Sequence, residues 1–169
     1  MPEVRRLVVV NTTPLIALSA VHQLDLLRQL YGEVVIPAAV RAEVLAGGRR
    51  GTGVAEIAAR PWIRTLALRD PGRADLLSDL DRGEAEVIAL AQEARAGLVI
   101  IDERLARRHA DRLGLPLTGT MGVLLKAKAN GLLGRIGPLV GQIRISGVRL
   151  GDDLVRRVLE LAGETETTE

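Results

Sequence analysis

DRGEAEVIALAQEARAGLVIIDERLARRHA, residues 81–110, decides the fold. It reads as helix, buried strand, helix, with a carboxylate at each joint. Leu98, Val99, Ile100 and Ile101 form an uninterrupted apolar run, the mark of a strand covered on both faces. Asp102 follows directly. In open parallel sheets, ligands bind just beyond the C-terminal ends of the strands, so Asp102 stands where chemistry is expected. Glu84 opens the first helix of the stretch.

Working outward, residues 7–10 (LVVV) predict another buried strand. Asn11-Thr12-Thr13-Pro14 stops it and starts a helix, with Thr12 or Thr13 as cap and Pro14 at the first helical position. Leu15, Ile16, Leu18, Leu24, Leu26, Leu27 and Leu30 supply apolar faces at helical spacing up to Gly32. Val34-Val35-Ile36 predicts a second short strand closed by Pro37. Residues 38–46 predict a helix with Val40 and Val44 on one face and Glu43 beside it. Residues 47–53 (GGRRGTG) read as a flexible loop, residues 54–59 as a short helix, and residues 62–68 as a strand or edge piece. Beyond Gly114 come a short strand (LPLT, 115–118), a helix over 121–130 capped by Gly119-Thr120, and further helices broken at Gly137-Pro138 and around 146–152. Residues 164–169 are polar throughout and predict a disordered tail. Short apolar strands alternating with helices argue an α/β sandwich with a mainly parallel sheet.

Composition narrows the class. A chain of 169 residues, 47% hydrophobic, suits one domain with a proper core. Aromatics make up 1%, so Leu, Val, Ile and Ala must fill that core. There is no cysteine, which excludes a disulfide framework and thiolate metal sites. No apolar run approaches the roughly 20 residues needed to span a bilayer, and the N-terminus lacks a signal-peptide pattern, so a cytoplasmic location is expected. The pI of 9.6 rests on arginines with a net charge of only +2. Any nucleic-acid partner must therefore meet a local patch.

Asn11, Glu43, Glu84 and Asp102 all fall on or lean toward one edge of such a sheet. Carboxylates brought together repel unless a cation neutralises them. Oxygen donors suit Mg²⁺ or Mn²⁺, which use substrate phosphate as a further ligand and activate water for phosphodiester hydrolysis. Each position also has a simpler reading. Asp81-Arg82-Gly83-Glu84 matches a capping box, Asp102 an N-cap, Glu43 a surface acid and Asn11 a turn residue. Glu86 reads as a solvated first-turn acid.

NTTPLIAL (11–18), VVIPAAVRAEV (34–44), LDRGEAEVIALA (80–91), GLVIIDERLARRHADRLGLPLTGTMGVLLKAKANGL (97–132) and the terminal AGE (162–164) together resemble the PIN-domain family. Within it the likeness is to the branch related to VapC-type toxins. The resemblance implies a three-layer α/β/α sandwich with a mainly parallel central sheet, a single PIN-like domain over residues 1–164, and a tail at 165–169. It implies a ribonuclease dependent on Mg²⁺ or Mn²⁺, acting on RNA, with an antitoxin protein as partner. The family's acidic quartet maps onto Asn11, Glu43, Glu84 and Asp102 as metal-binding and catalytic residues. Its supporting hydroxyls map onto Thr12 or Thr13 and Thr120; Glu86 matches less well. Asn11 stands where the family pattern has Asp. An amide oxygen can bind Mg²⁺ but brings no charge and accepts no proton from water. Two readings therefore stand side by side: a working ribonuclease, or a PIN-like protein that binds nucleic acid or a partner without cutting.

Arg104, Arg107 and Arg108 follow Asp102 on its helix, and Lys126 and Lys128 follow Thr120. Arg104 and Lys126, with Thr12 and Thr120, are the expected substrate contacts, and Arg49 and Arg50 of the loop could reach a long ligand. His22 and His109 read as surface or packing residues. The apolar faces of Leu154, Val155, Val158, Leu159 and Leu161 and of residues 15–30 exceed the needs of one layer, which predicts a homodimer.

Overall fold

A computed structural model describes residues 6–47 and 53–165. Five strands form one sheet: β1 (Val8–Val10), β2 (Val34–Pro37), β3 (Ile63–Leu66), β4 (Leu98–Ile100) and β5 (Leu117–Thr118). Their order is β3-β2-β1-β4-β5, and every pairing is parallel. The expected sheet is thus wholly parallel, and residues 62–68 contribute its edge strand, β3.

Ten helices connect and cover these strands among the described residues. α1 (Thr12–Ala20) and α2 (Leu26–Tyr31) join β1 to β2. α3 (Ala38–Leu45) and the short α4 (Val54–Ala58) lead to β3. α5 (Gly72–Asp75) and α6 (Arg82–Ala94) precede β4. α7 (Arg104–Arg112) joins β4 to β5, and α8 (Thr120–Ala129), α9 (Gly137–Ile145) and α10 (Asp152–Leu161) complete the chain. α6 packs against β1, β2 and β4 with α3, α5 and α7 beside it, while α8 packs with α1, α2 and α10. These two groups are the outer layers of an α/β/α sandwich.

The core is aliphatic, as composition requires. Val9, Val10, Leu15, Leu18, Leu27, Ile88, Val99, Ile100, Ile101, Val123, Leu124 and Ile143 are fully enclosed. Each such side chain contributes on the order of 1.5–3 kcal/mol of burial. α7 approaches closely because Ala106 and Ala110, one turn apart, are its buried residues.

Local chemistry moves several boundaries. α1 begins at Thr12 with Asn11 as N-cap, so Pro14 sits third in the helix, still within the first turn whose N–H groups need no intrahelical partner. Gly137-Pro138 starts α9 rather than breaking one, since proline suits the first turn. Glu164 is held, not free: its carboxylate accepts from the N–H groups of Ile136 and Gly137 at the start of α9 and from Lys128 Nζ at 2.9 Å. The leucines of α1 and α2 lie in the chain's own core, which removes that part of the surplus behind the dimer expectation. Within residues 47–53, positions 48–52 lie outside the described residues, Arg49 and Arg50 included, as do 166–169 of the tail. No helix among the described residues is long and apolar enough to cross a membrane.

Candidate functional site

Strand order reverses beside β1, since the chain runs β1, β2, β3 in one direction and then places β4 on the other side of β1. The connections leaving β1 and β4 diverge there and open a crevice. Val10 is in register with Ile100, and Asn11 N–H donates to Ile100 O at 3.0 Å. Asn11 and Asp102 therefore leave neighbouring strands at the crevice. A cleft of about 900 Å³ opens at this point, and Asn11, Thr12, Thr13, Glu43, Glu84 and Asp102 all line it. The four expected residues, drawn from four separate elements, thus share one cleft.

Each carboxylate already has a hydrogen-bond partner within the protein. Glu43 accepts from Thr12 Oγ1 at 2.6 Å, which ties α3 to the start of α1. Asp102 accepts from the backbone N–H of Thr120 at 2.7 Å and from Thr120 Oγ1 at 2.6 Å. It therefore secures the first turn of α8, while Glu103 occupies the N-cap of its own helix α7. Glu84 is in a full capping box: its N–H donates to Asp81 Oδ1 at 2.8 Å, and Asp81 N–H donates to Glu84 Oε2 at 3.3 Å. Among the described residues, no three acidic or histidine side chains stand close enough, as oriented, to hold an ion.

Two glycines make the close approaches possible. A Cβ on Gly83 would lie 2.0 Å from Glu43 Oε1, and one on Gly119 would lie 2.5 Å from Asp102 Oδ1. The Gly in RGE is therefore what lets Glu43 of α3 lie across the first turn of α6.

Asn11 differs from the acids. It is 4% exposed, makes no side-chain bond to the helix it caps, and its Oδ1 is buried with no hydrogen-bond partner. A buried acceptor left unpaired is costly, so this oxygen is available to accept a hydrogen bond or to coordinate a cation. Burial, then the neighbouring charges of Asp81 and Glu103, push the Glu84 carboxyl up to about 7. Asp81 and Glu103 line the same cleft. The acid end is thus short of positive charge, and its oxygen donors suit a hard divalent cation.

The supporting residues divide. Thr12 and Thr120 are buried and act through Glu43 and Asp102; Thr120 does not itself line the cleft. Arg104 and Arg108 are exposed outside it. Lys126 also lies outside, with Nζ 4.5 Å from the centre of the Tyr31 ring. The cleft's basic groups are Arg107, Arg149 and Arg157. Arg107 is fixed by donating to Ile101 O at 2.8 Å. Arg149 and Arg157 have no counterpart in the sequence expectations, although Arg157 lies on α10, whose apolar face did. Glu86 is not solvated: it accepts from Ala39 N–H at 3.2 Å and from Arg82 Nε at 2.7 Å, and so closes the N-terminus of α3. His109 pairs with Asp79 at 2.9 Å and His22 lies 3.9 Å from Glu56, both away from the cleft.

No curated protein matches the chain. The family model of the PIN domain matches residues 7–164, which takes in the whole sheet, the four cleft residues and α10. The chain belongs to the PIN-domain family.

Proposed function

We propose that this protein is a metal-dependent ribonuclease that hydrolyses phosphodiester bonds at the cleft beside β1 and β4. Membership in the PIN-domain family supports a nuclease-type function acting on nucleic acid. The observation that carries the reading is the convergence of Asn11, Glu43, Glu84 and Asp102 on one cleft, with the Asn11 oxygen buried and unpaired. These four residues would hold Mg²⁺ or Mn²⁺. Such an ion, when bound, supplies Lewis-acid polarisation of phosphate and water. Thr12 orients Glu43, and Thr120 orients Asp102. Burial and the charges of Asp81 and Glu103 disfavour the Glu84 carboxylate, a penalty that a cation held by these residues would relieve. Arg107 offers its remaining N–H groups to phosphate oxygens.

The toxin role, an antitoxin partner and a homodimer belong to the same reading. Resemblance to VapC-type toxins supports the first two. For the dimer the support is Ile145, 88% exposed at the end of α9, and sedimentation at micromolar concentration should give two copies.

A second reading, a PIN-like protein that binds nucleic acid or a partner without cutting, is favoured by Asn11 in the first acid's place and by the hydrogen-bond partner that each carboxylate already has within the protein. Cleavage of mixed RNA with Mn²⁺ separates the two, comparing wild type, Asn11→Asp and Asp102→Asn. The ribonuclease reading expects wild-type cleavage that disappears in Asp102→Asn. It also expects Asn11→Asp to melt earlier without divalent ions and to recover with Mn²⁺. Absence of cleavage by wild type and Asn11→Asp across several RNAs would leave the binding reading.

A further inference from the structure

Leu154, Arg157, Val158 and Leu161 follow the spacing of one helical stripe on α10, and all four line the cleft. Val158 is sealed into the core at 3% exposure, yet Leu154 and Leu161 remain 45% and 68% exposed. Ile16, Met121 and Leu125 add further apolar surface to the same cleft. The neighbouring arginines are sorted. Arg144 and Arg156 bind Asp152 and Asp153 at the start of α10. Arg149 and Arg157, which line the cleft, have no carboxylate partner among the described residues.

This wall asks for a ligand that carries negative charge beside an apolar plane and runs on to the acid end. Phosphate alone would leave the leucines wet, and where the cleft continues to Glu43, Glu84 and Asp102 the anion that fits is a phosphodiester taken up by the cation of the ribonuclease reading. A nucleotide strand supplies phosphate for the arginines and an unstacked base for the leucines. We infer that the α10 face, with Arg149, is a nucleotide subsite: Leu154 and Leu161 receive an unstacked base of single-stranded RNA, and Arg149 and Arg157 hold its phosphate. The subsite rests on the ribonuclease reading, because it flanks the bond that the acid end would cut. A duplex keeps its bases stacked and paired, so it would forfeit the apolar half of the contact.

The test measures binding by fluorescence anisotropy, with Ca²⁺ as the divalent ion and gels confirming that the RNA stays intact. The probes are a labelled mixed-sequence RNA dodecamer and the same oligomer with alternate nucleotides abasic. Wild type should bind the intact oligomer severalfold more tightly. Leu154→Ser should weaken binding of the intact oligomer and leave the abasic one unchanged. Arg157→Gln should weaken both and reduce the salt dependence of log Kd by about 1. Arg108→Gln, exposed outside the cleft, should behave as wild type. The substituted side chains are exposed, and thermal melts check that each variant folds.

Equal affinity of wild type for the two oligomers, or equal losses on both in Leu154→Ser, would overturn the subsite. So would tighter binding of an acidic amphipathic peptide that both variants weaken. Mn²⁺-dependent cleavage by wild type, with the α10 variants binding normally, would overturn the subsite and leave the ribonuclease intact. Neither binding nor cleavage by wild type would overturn both.

Discussion

Gly83→Ala isolates the contact between α3 and α6 on which the Glu43 carboxylate depends. Gly83 is the second residue of a 13-residue helix, where alanine ordinarily stabilises by about 0.5–1 kcal/mol. Here the new Cβ would lie 2.0 Å from Glu43 Oε1 and 2.9 Å from its Cδ. The carboxylate must swing away, and the 2.6 Å bond from Thr12 Oγ1 goes with it. A hydrogen bond to a charged group contributes about 1.5–3 kcal/mol, so the net effect is a loss of about 0.5–2.5 kcal/mol. For a domain of this size that lowers Tm by roughly 1–10 °C. The decisive assay is a double-mutant cycle with Glu43→Ala. Once the carboxylate is absent, Gly83→Ala should turn from destabilising to stabilising, because only helix propensity remains. Divalent-ion affinity should fall in the single Gly83→Ala variant. An identical, stabilising effect of Gly83→Ala in both backgrounds would refute the contact and the orientation argued for Glu43.

Glu84→Gln keeps a capping-box side chain while removing a charge that burial, Asp81 and Glu103 disfavour. Its folded pKa of about 7 lies above the ordinary 4.5, so ionisation costs wild type stability as pH rises from about 4.5 to 7. Glu84→Gln should therefore melt higher at pH 8, by about 1–2 kcal/mol of stability, with the gain gone at pH 4 and cleavage lost; equal melting at pH 8 would remove the strained-carboxylate argument. Glu164 shows the opposite sign. Burial alone would raise its pKa, but the N–H of Ile136, Lys128 and the N–H of Gly137 outweigh it and hold it at about 2. Glu164→Gln should cost about 3 kcal/mol or less at neutral pH. That stabilisation is present above pH 4.5 and fades as pH falls toward 2, so a denaturation series in which the loss persists at pH 2 would contradict it.

Much of the site was legible because it lies where strands end. The runs LVVV and LVII mark β1 and β4, and the residue after each is fixed by where the apolar run stops. Partners that come from afar were not legible. Asp102 reads as a cap for its own helix, yet the N–H it accepts comes from Thr120, 18 residues on and one strand over. Lys126 reads as a phosphate ligand until α2 places the Tyr31 ring beneath it. The spacing of α10 announces a face in need of cover. Spacing cannot say that half of it seals the core through Val158 while the rest borders a cleft. Glu164 reads as the start of a polar tail, because nothing local reveals that the free N–H groups of α9 are within reach.

The Glu164 clasp also fastens two helices with one side chain. Glu164 lies just past the end of α10, and the N–H groups it accepts from open α9. The wall that Leu154, Arg157 and Leu161 give the cleft is therefore moored at its C-terminal end by a carboxylate that touches none of Asn11, Glu43, Glu84 and Asp102. Loosening that mooring would change the shape of the cleft while leaving its acid end on its own elements.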